Sequence, residues 1–196
     1  MLKLQKPIVY FLSLVVSCEV LIRLFDHSEF SIWTVFVRML ELLSTTQFRD
    51  HLQASVTRLI LGLIVGFAFS VLAVLVVESR KPTSGFWDYL IGVTYPIPKT
   101  AVFPFLLVLF GLGDASKISF MALGTFYLFY FNISQGVKQL KQSALYDVVK
   151  VYKFKPGTTV WTFFVRGSLP YVMVALRLGV GYGFVLMIVS EMTLSN

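Results

Sequence analysis

"LILGLIVGFAFSVLAVLVV", residues 59–77, is a run of 19 residues without a charge. Crossing the roughly 30 Å hydrocarbon layer of a bilayer takes about 20 apolar residues of helix. The stretch therefore reads as a membrane span and not as the core helix of a small globule. Working outward, residues 118–137 are also uncharged and of spanning length. Residues 8–25 carry Glu19 and Arg23, four apart and so on one helix face, where they can pair. Residues 86–110 and 169–189, the latter with Arg177, complete the set. The expected fold is an all-α, polytopic integral membrane protein with about five transmembrane helices.

Composition supports this solvent. The 196 residues are 57% hydrophobic, 16% aromatic and 14% charged, against roughly 45–50% apolar and about 25% charged in soluble domains. A net charge of +7 in a soluble chain would suggest nucleic acid; here its distribution sets orientation, and no nucleic-acid partner is expected. With the N-terminus inside, the inner segments hold Lys3, Lys6, Arg80, Lys81, Lys138, Lys141, Lys150, Lys153, Lys155 and Arg166. The outer ones hold Arg38, Arg49 and Lys117, with Arg58 at a helix edge. Basic residues stay on the cytoplasmic side, so the N-terminus is expected in the cytoplasm and the C-terminus outside. The first apolar run lacks a small-x-small cleavage site and reads as a retained anchor. Its lone Cys18 reads as packing.

Between the first two spans, Ile32, Phe36, Leu40 and Leu43 form one helical stripe away from Arg38 and Glu41. That suits a helix lying in the outer interface. "STTQFRDHLQAS", residues 44–55, reads as a polar connection with capping residues.

"YPIPKTAVFPF", residues 95–105, sets helix breakers and a charge inside the third span. Pro96, Pro98 and Pro104 remove backbone donors, which membranes tolerate where the freed carbonyls face protein or a water-filled path. The segment is thus a candidate wall and pivot beside a protein-lined or water-filled path. An ionisable group at membrane depth costs about 2.5–3.5 kcal/mol on insertion scales and marks a functional candidate. Lys99 qualifies if it faces the bundle interior; otherwise it snorkels toward headgroups. Arg177, well inside the last span, is a second such candidate, lining a polar path or bracing it.

The one sizeable inner loop, residues 138–168, has six basic residues and Asp147 as its acidic one. Leu145, Val148, Val149 and Tyr152 recur at helical intervals before Pro156 and Gly157, and a second apolar run follows at 160–165. The loop either lies on anionic headgroups or docks a cytoplasmic partner through an amphipathic helix.

No GxxxxGK[ST], CxxC, HExxH or GxSxG occurs, and His27 and His51 lie far apart. The chain therefore reads as no enzyme and as needing no cofactor or metal.

The ordered series "SVTRLILGL" (Ser55, Arg58, Gly62), "YPIPKTAVFP", "LFGLGDASKI" (Gly111, Gly113, Asp114, Lys117), Asn132 and Gly136, "WTFFVRGSLPYVMVALRLG" and Glu191 resembles the permease subunit of ABC importers. The resemblance is to the type-I binding-protein-dependent class, in the branch with nitrate, taurine, alkanesulfonate and thiamine-precursor transporters. It implies an anchor plus interfacial helix over 1–50 and a permease domain over 51–196. It also implies an inner-membrane location, a second permease copy forming a homodimer, cytoplasmic ABC ATPases, and a periplasmic or lipid-tethered binding protein. The pathway residues it suggests are Pro96, Pro98, Lys99, Pro104, Asn132 and Arg177, acting on a small anionic, sulfonate- or nitrate-like solute.

The family's coupling pattern is Glu-Ala-Ala, glycine, then Leu-Pro. Here Gly157, Leu169 and Pro170 match, while the first part is degenerate. Aligned without gaps it falls on Val151, Tyr152 and Lys153; with a short insertion it falls on Asp147, Val148 and Val149, the preferred reading because it keeps an acidic group beside an apolar face. Asp147, Val148, Val149, Tyr152, Gly157, Leu169 and Pro170 are the expected ATPase-coupling residues. Family members continue past the position of Glu191 to a further helix, whereas this chain stops at Asn196. That motivates the alternative of a membrane scaffold or assembly protein derived from a permease.

Overall fold

The computed structural model describes residues 2–24, 31–79, 84–152 and 165–194. Among them the elements are α1 (Leu2–Leu24), α2 (Ile32–Leu43), α3 (Thr46–Ser79), α4 (Ser84–Thr94), α5 (Lys99–Phe110), α6 (Asp114–Gln142), α7 (Ala144–Val151) and α8 (Arg166–Thr193). They fall into two compact units, Met1–Ala54 and Ser55–Asn196.

In the first unit, the Glu19 carboxylate of α1 accepts the Ser31 hydroxyl at 2.6 Å and the Ile32 N–H at 3.0 Å. The first N–H groups of α2 have no partner within the helix and form the positive end of its dipole, so an anion there is stabilising. The expected Glu19–Arg23 pair involves a side chain outside the described residues. On α2, Arg38 pairs with Glu41 at 3.1 Å, and Phe36, Leu40 and Leu43 stay exposed.

The polar stretch 44–55, expected as a connection, is helical from Thr46 onward. The Thr45 hydroxyl accepts the Phe48 N–H at 3.2 Å, a cap at the third helical residue. No glycine or proline follows before the apolar run, so nothing stops the helix from propagating into it.

The second unit is organised around α6. Phe120, Met121, Phe129 and Tyr130 of this helix are at most 1% exposed. Lipid is as apolar as leucine, so helices associate in a membrane through close van der Waals packing, which favours small residues at the contact. Gly62 and Gly66 of α3 lie against Met121, Ala122 and Thr125 of α6. Gly179 of α8 lies against Phe129, and Gly124 and Gly136 of α6 receive Leu186 and Tyr171 of α8. The register shows that α3 and α6 run parallel and that α8 runs antiparallel to both.

A parallel α3 and α6 require the chain to return between them. The helix pair α4–α5, bent by 96° at residues 95–98, makes that return. Its start lies level with the far half of α6, where Tyr130 donates to Asp88 at 2.5 Å. Its end lies level with the near half, where the Phe103 and Phe120 rings sit 4.5 Å apart. The expected third span is thus a broken one.

By length and apolarity, Thr46–Val77 and Arg166–Thr193 can cross a membrane, and the bent pair would be a third span. α6, also expected to cross, falls below that apolarity. α6 carries Ser116, Thr125, Asn132 and Ser134 because much of its surface meets protein. In α1 the apolar stretch among the described residues is Ser13–Ile22. The expected amphipathic helix before Pro156 is present as α7; the Pro156–Gly157 break and residues 160–164 lie outside the described residues.

The glycine contacts generate a direct test. A Cβ on Gly66 would sit 2.4 Å from Thr125 Oγ1 and 2.8 Å from the Ala122 carbonyl, whereas one on Gly92 meets nothing within 4 Å. Gly66→Ala is expected to lose about 1–3 kcal/mol of stability, and Gly92→Ala to be neutral or gain up to about 1 kcal/mol. Thermal unfolding in detergent reads both; equal midpoints would refute the packing.

Candidate translocation site

The break at residues 95–98 follows from local chemistry. Pro96 and Pro98 donate no backbone hydrogen bond, and Pro98 stands at the N-cap of α5, a position that needs none. What remains is a set of carbonyls at the end of α4 with no helical partner. Lys99 answers them. Its ammonium donates to the carbonyls of Thr94 (3.1 Å), Tyr95 (2.8 Å) and Ile97 (3.0 Å), and lies 3.9 Å from the centre of the Tyr127 ring. The residue is 8% exposed. A lysine has three donors, and all three are engaged. Of the two placements the sequence left open for Lys99, burial is the one this geometry fits.

Tyr95, Pro96, Ile97, Pro98 and Lys99 line one groove with Leu128 and Tyr182, of about 420 Å³. Pro104 is exposed one turn into α5. Asn132 is half-buried and donates to the Leu128 carbonyl of its own helix at 2.8 Å. Arg177 is exposed on α8 with no ion pair among the described residues. The break therefore gathers Pro96, Pro98 and Lys99 but not Arg177.

At one end of the unit, four charged residues from three helices converge. Arg58 of α3 bonds Asp114 of α6 and Glu191 of α8, each at 2.7 Å. Lys117 of α6 reaches the other Glu191 oxygen at 2.9 Å, and the Ser55 hydroxyl adds a 3.3 Å bond. Glu191, expected as an outer-surface marker, is the acceptor that ties α3, α6 and α8 together. Bonds between ionised partners are stronger than neutral ones, and the two carboxylates balance the two cations.

Near the opposite end of α6, Asp88 of α4 accepts Tyr130 and Lys138, each at 2.5 Å. Sequence reasoning passed over Asp88, although an ionisable residue inside an apolar run is the signal that singled out Lys99. Of the expected coupling residues, Asp147, Val148 and Tyr152 are exposed on or just after α7, which also contains Val149. Leu169 and Pro170 are exposed in the first turns of α8, and Gly157 lies outside the described residues.

With this geometry in hand, comparison with known proteins is specific. Residues 59–196 match the binding-protein-dependent transport system inner membrane component family. The chain belongs to that family. This member is 26% identical over 159 residues to the putative aliphatic sulfonates transport permease protein SsuC of Bacillus subtilis, covering 81% of the chain and 57% of that protein. It is 27% identical over 143 residues to the taurine transport system permease protein TauC of Escherichia coli, covering 73% and 52%. A putative ABC transporter permease protein of Methanocaldococcus jannaschii is 26% identical over 155 residues, covering 79% and 58%. The chain thus spans somewhat over half the length of these relatives. Membership and the apolar helices make it a multi-pass membrane protein of the ABC permease type.

The charge cluster is open to a double-mutant cycle. Lys117→Met and Glu191→Gln, singly and together, are expected to show a coupling of about 0.5–3 kcal/mol in detergent unfolding. Strict additivity would mean that the pair does not bind the helix ends.

Proposed function

We propose that the chain is the transmembrane permease subunit of an ATP-driven importer and that the broken span α4–α5 forms a wall of its pathway. The observation that carries this reading is the family match across 59–196 combined with a buried cation at a broken helix inside the matched region. In this reading Pro96, Pro98, Lys99, Pro104, Asn132 and Arg177 belong to the pathway. α7, with Asp147, Val148, Val149 and Tyr152, docks to a cytoplasmic ATPase, helped by Gly157, Leu169 and Pro170. A second copy completes the pathway as a homodimer, and a periplasmic or lipid-tethered binding protein delivers substrate. The chain sits in the inner membrane with its N-terminus in the cytoplasm and its C-terminus outside.

The substrate class we propose is a small sulfonate or similar anion, supported by the names of the two relatives above. Lys99 has no free donor, so it acts on an anion through its field and not by direct contact. In a water-poor groove that field is weakly screened. Its second task is mechanical. Holding the α4 carbonyls while α5 departs at 96° makes it the pin of a hinge about which the two half-helices can tilt.

Sulfonate uptake by cells carrying the chain with its ATPase and binding protein tests the reading. The Lys99→Ala, Arg177→Ala double variant is expected to lose at least about tenfold in uptake; uptake equal to the parent would argue against a cationic pathway. Co-purification of an ATPase is expected to disappear when residues 145–165 are replaced. If no ATPase binds, and that replacement leaves uptake intact, the importer reading fails.

A further inference from the structure

Lys99 lines the groove at the break but offers it no donor, because its ammonium is engaged by the carbonyls of Thr94, Tyr95 and Ile97. Two tyrosines in the same wall are placed differently. Tyr95 follows directly on α4 and Tyr182 lies past the middle of α8, and both line the groove. They are 46% and 36% exposed, and neither hydroxyl has a hydrogen-bond partner among the described residues. Tyr130 and Tyr171 of the same unit, by contrast, donate to Asp88 and Gln139. Helix α6 holds both groove rings. That of Tyr95 meets Phe131 edge-on with centroids 5.0 Å apart, and that of Tyr182 packs over Gly124, where a Cβ would stand 3.2 Å from Cε1. Each ring is therefore fixed while its residue stays accessible, which is how a recognition group is preorganised.

The chemistry of the groove selects what these hydroxyls meet. A phenol brings one O–H donor and no charge of its own. The charge comes from Lys99, whose donors are occupied but whose field still disfavours a cation and favours an anion in a poorly solvated place. We propose that the hydroxyls of Tyr95 and Tyr182 are the groups that touch the solute at this groove, both donating to the oxygens of one small oxoanion while Lys99 acts from behind them. The contact would join the hinge end of α4 to α8, two elements that Lys99 itself does not link. Neutral donors hold an oxoanion less tightly than a direct ion pair does, and that suits a site which a solute must leave as readily as it enters. This inference rests on the permease reading and adds to it the side chains that make contact.

The test uses the full chain in lipid nanodiscs, titrated calorimetrically with ethanesulfonate and with ethylammonium, its counterpart of opposite charge, beside ethanesulfonate uptake by the assembled system in cells. Ethanesulfonate is expected to bind at least about tenfold more tightly than ethylammonium. Tyr95→Phe and Tyr182→Phe, which remove a hydroxyl and keep the ring, are each expected to weaken ethanesulfonate binding about tenfold. The unfolding midpoint is expected to stay where it is, since neither hydroxyl is bonded within the described residues. A purely structural role would instead lower that midpoint and change both ligands alike, and would overturn the proposal. So would a double Phe variant that binds ethanesulfonate as the parent does, or a parent that does not bind it. Uptake by the parent that the double variant matches refutes the tyrosine contact and spares the permease reading. Tyrosine-dependent binding with no uptake by the parent system refutes the permease reading and spares the groove.

Discussion

Close approach of three helices is the constraint on which the rest of the second unit depends. Gly62 and Gly66 let α3 lie against α6, and Gly124, Gly136 and Gly179 let α8 do so from another side. In a membrane no hydrophobic force favours one apolar contact over another, so the pairs that can approach most closely win. Once α3 and α6 are fixed parallel, the intervening segment must run back between them, and α8 must run antiparallel. The broken span is the consequence of that geometry meeting three prolines.

The broken span raises the accounting problem of every interrupted membrane helix, namely where its freed carbonyls go. Here one side chain answers for three of them, from Thr94, Tyr95 and Ile97, and a tyrosine ring takes the remaining face of the same ammonium. The two ends of α6 are fastened differently. One is tied to α3 and α8 through Glu191, the other to α4 through Asp88. The central helix is thus joined to α3, α8 and α4 by charge near its ends and to α5 by the packing of Phe103 on Phe120.

Much of this was legible in advance. Residues 59–77 announced a span because nothing charged interrupts them, and Pro96, Pro98 and Lys99 announced a break because prolines cannot continue a ladder of hydrogen bonds. Asn132 and Arg177 were less readable. A side chain's setting depends on which face its helix turns to a neighbour, and composition does not say; Asn132 bonds its own helix. The start of α3 was misplaced because polar residues after a capping threonine look like a loop, although nothing in them stops a helix. Asp88 was missed because a single carboxylate acquires meaning from Tyr130 and Lys138, 42 and 50 residues away.

By itself the sequence determined the solvent, the helical class and the place where the third span fails, since these depend on local composition and on the backbone chemistry of proline. It also supplied the ordered motifs of the family. The tertiary structure alone decided what those motifs do for one another: that Arg58, Asp114, Lys117 and Glu191 form one cluster, that Lys99 caps a helix end, and that Asp88 holds Tyr130 and Lys138. Electrostatic and hydrogen-bond contacts act over a few ångströms in space, and the chain brings residues that close only after its helices have packed.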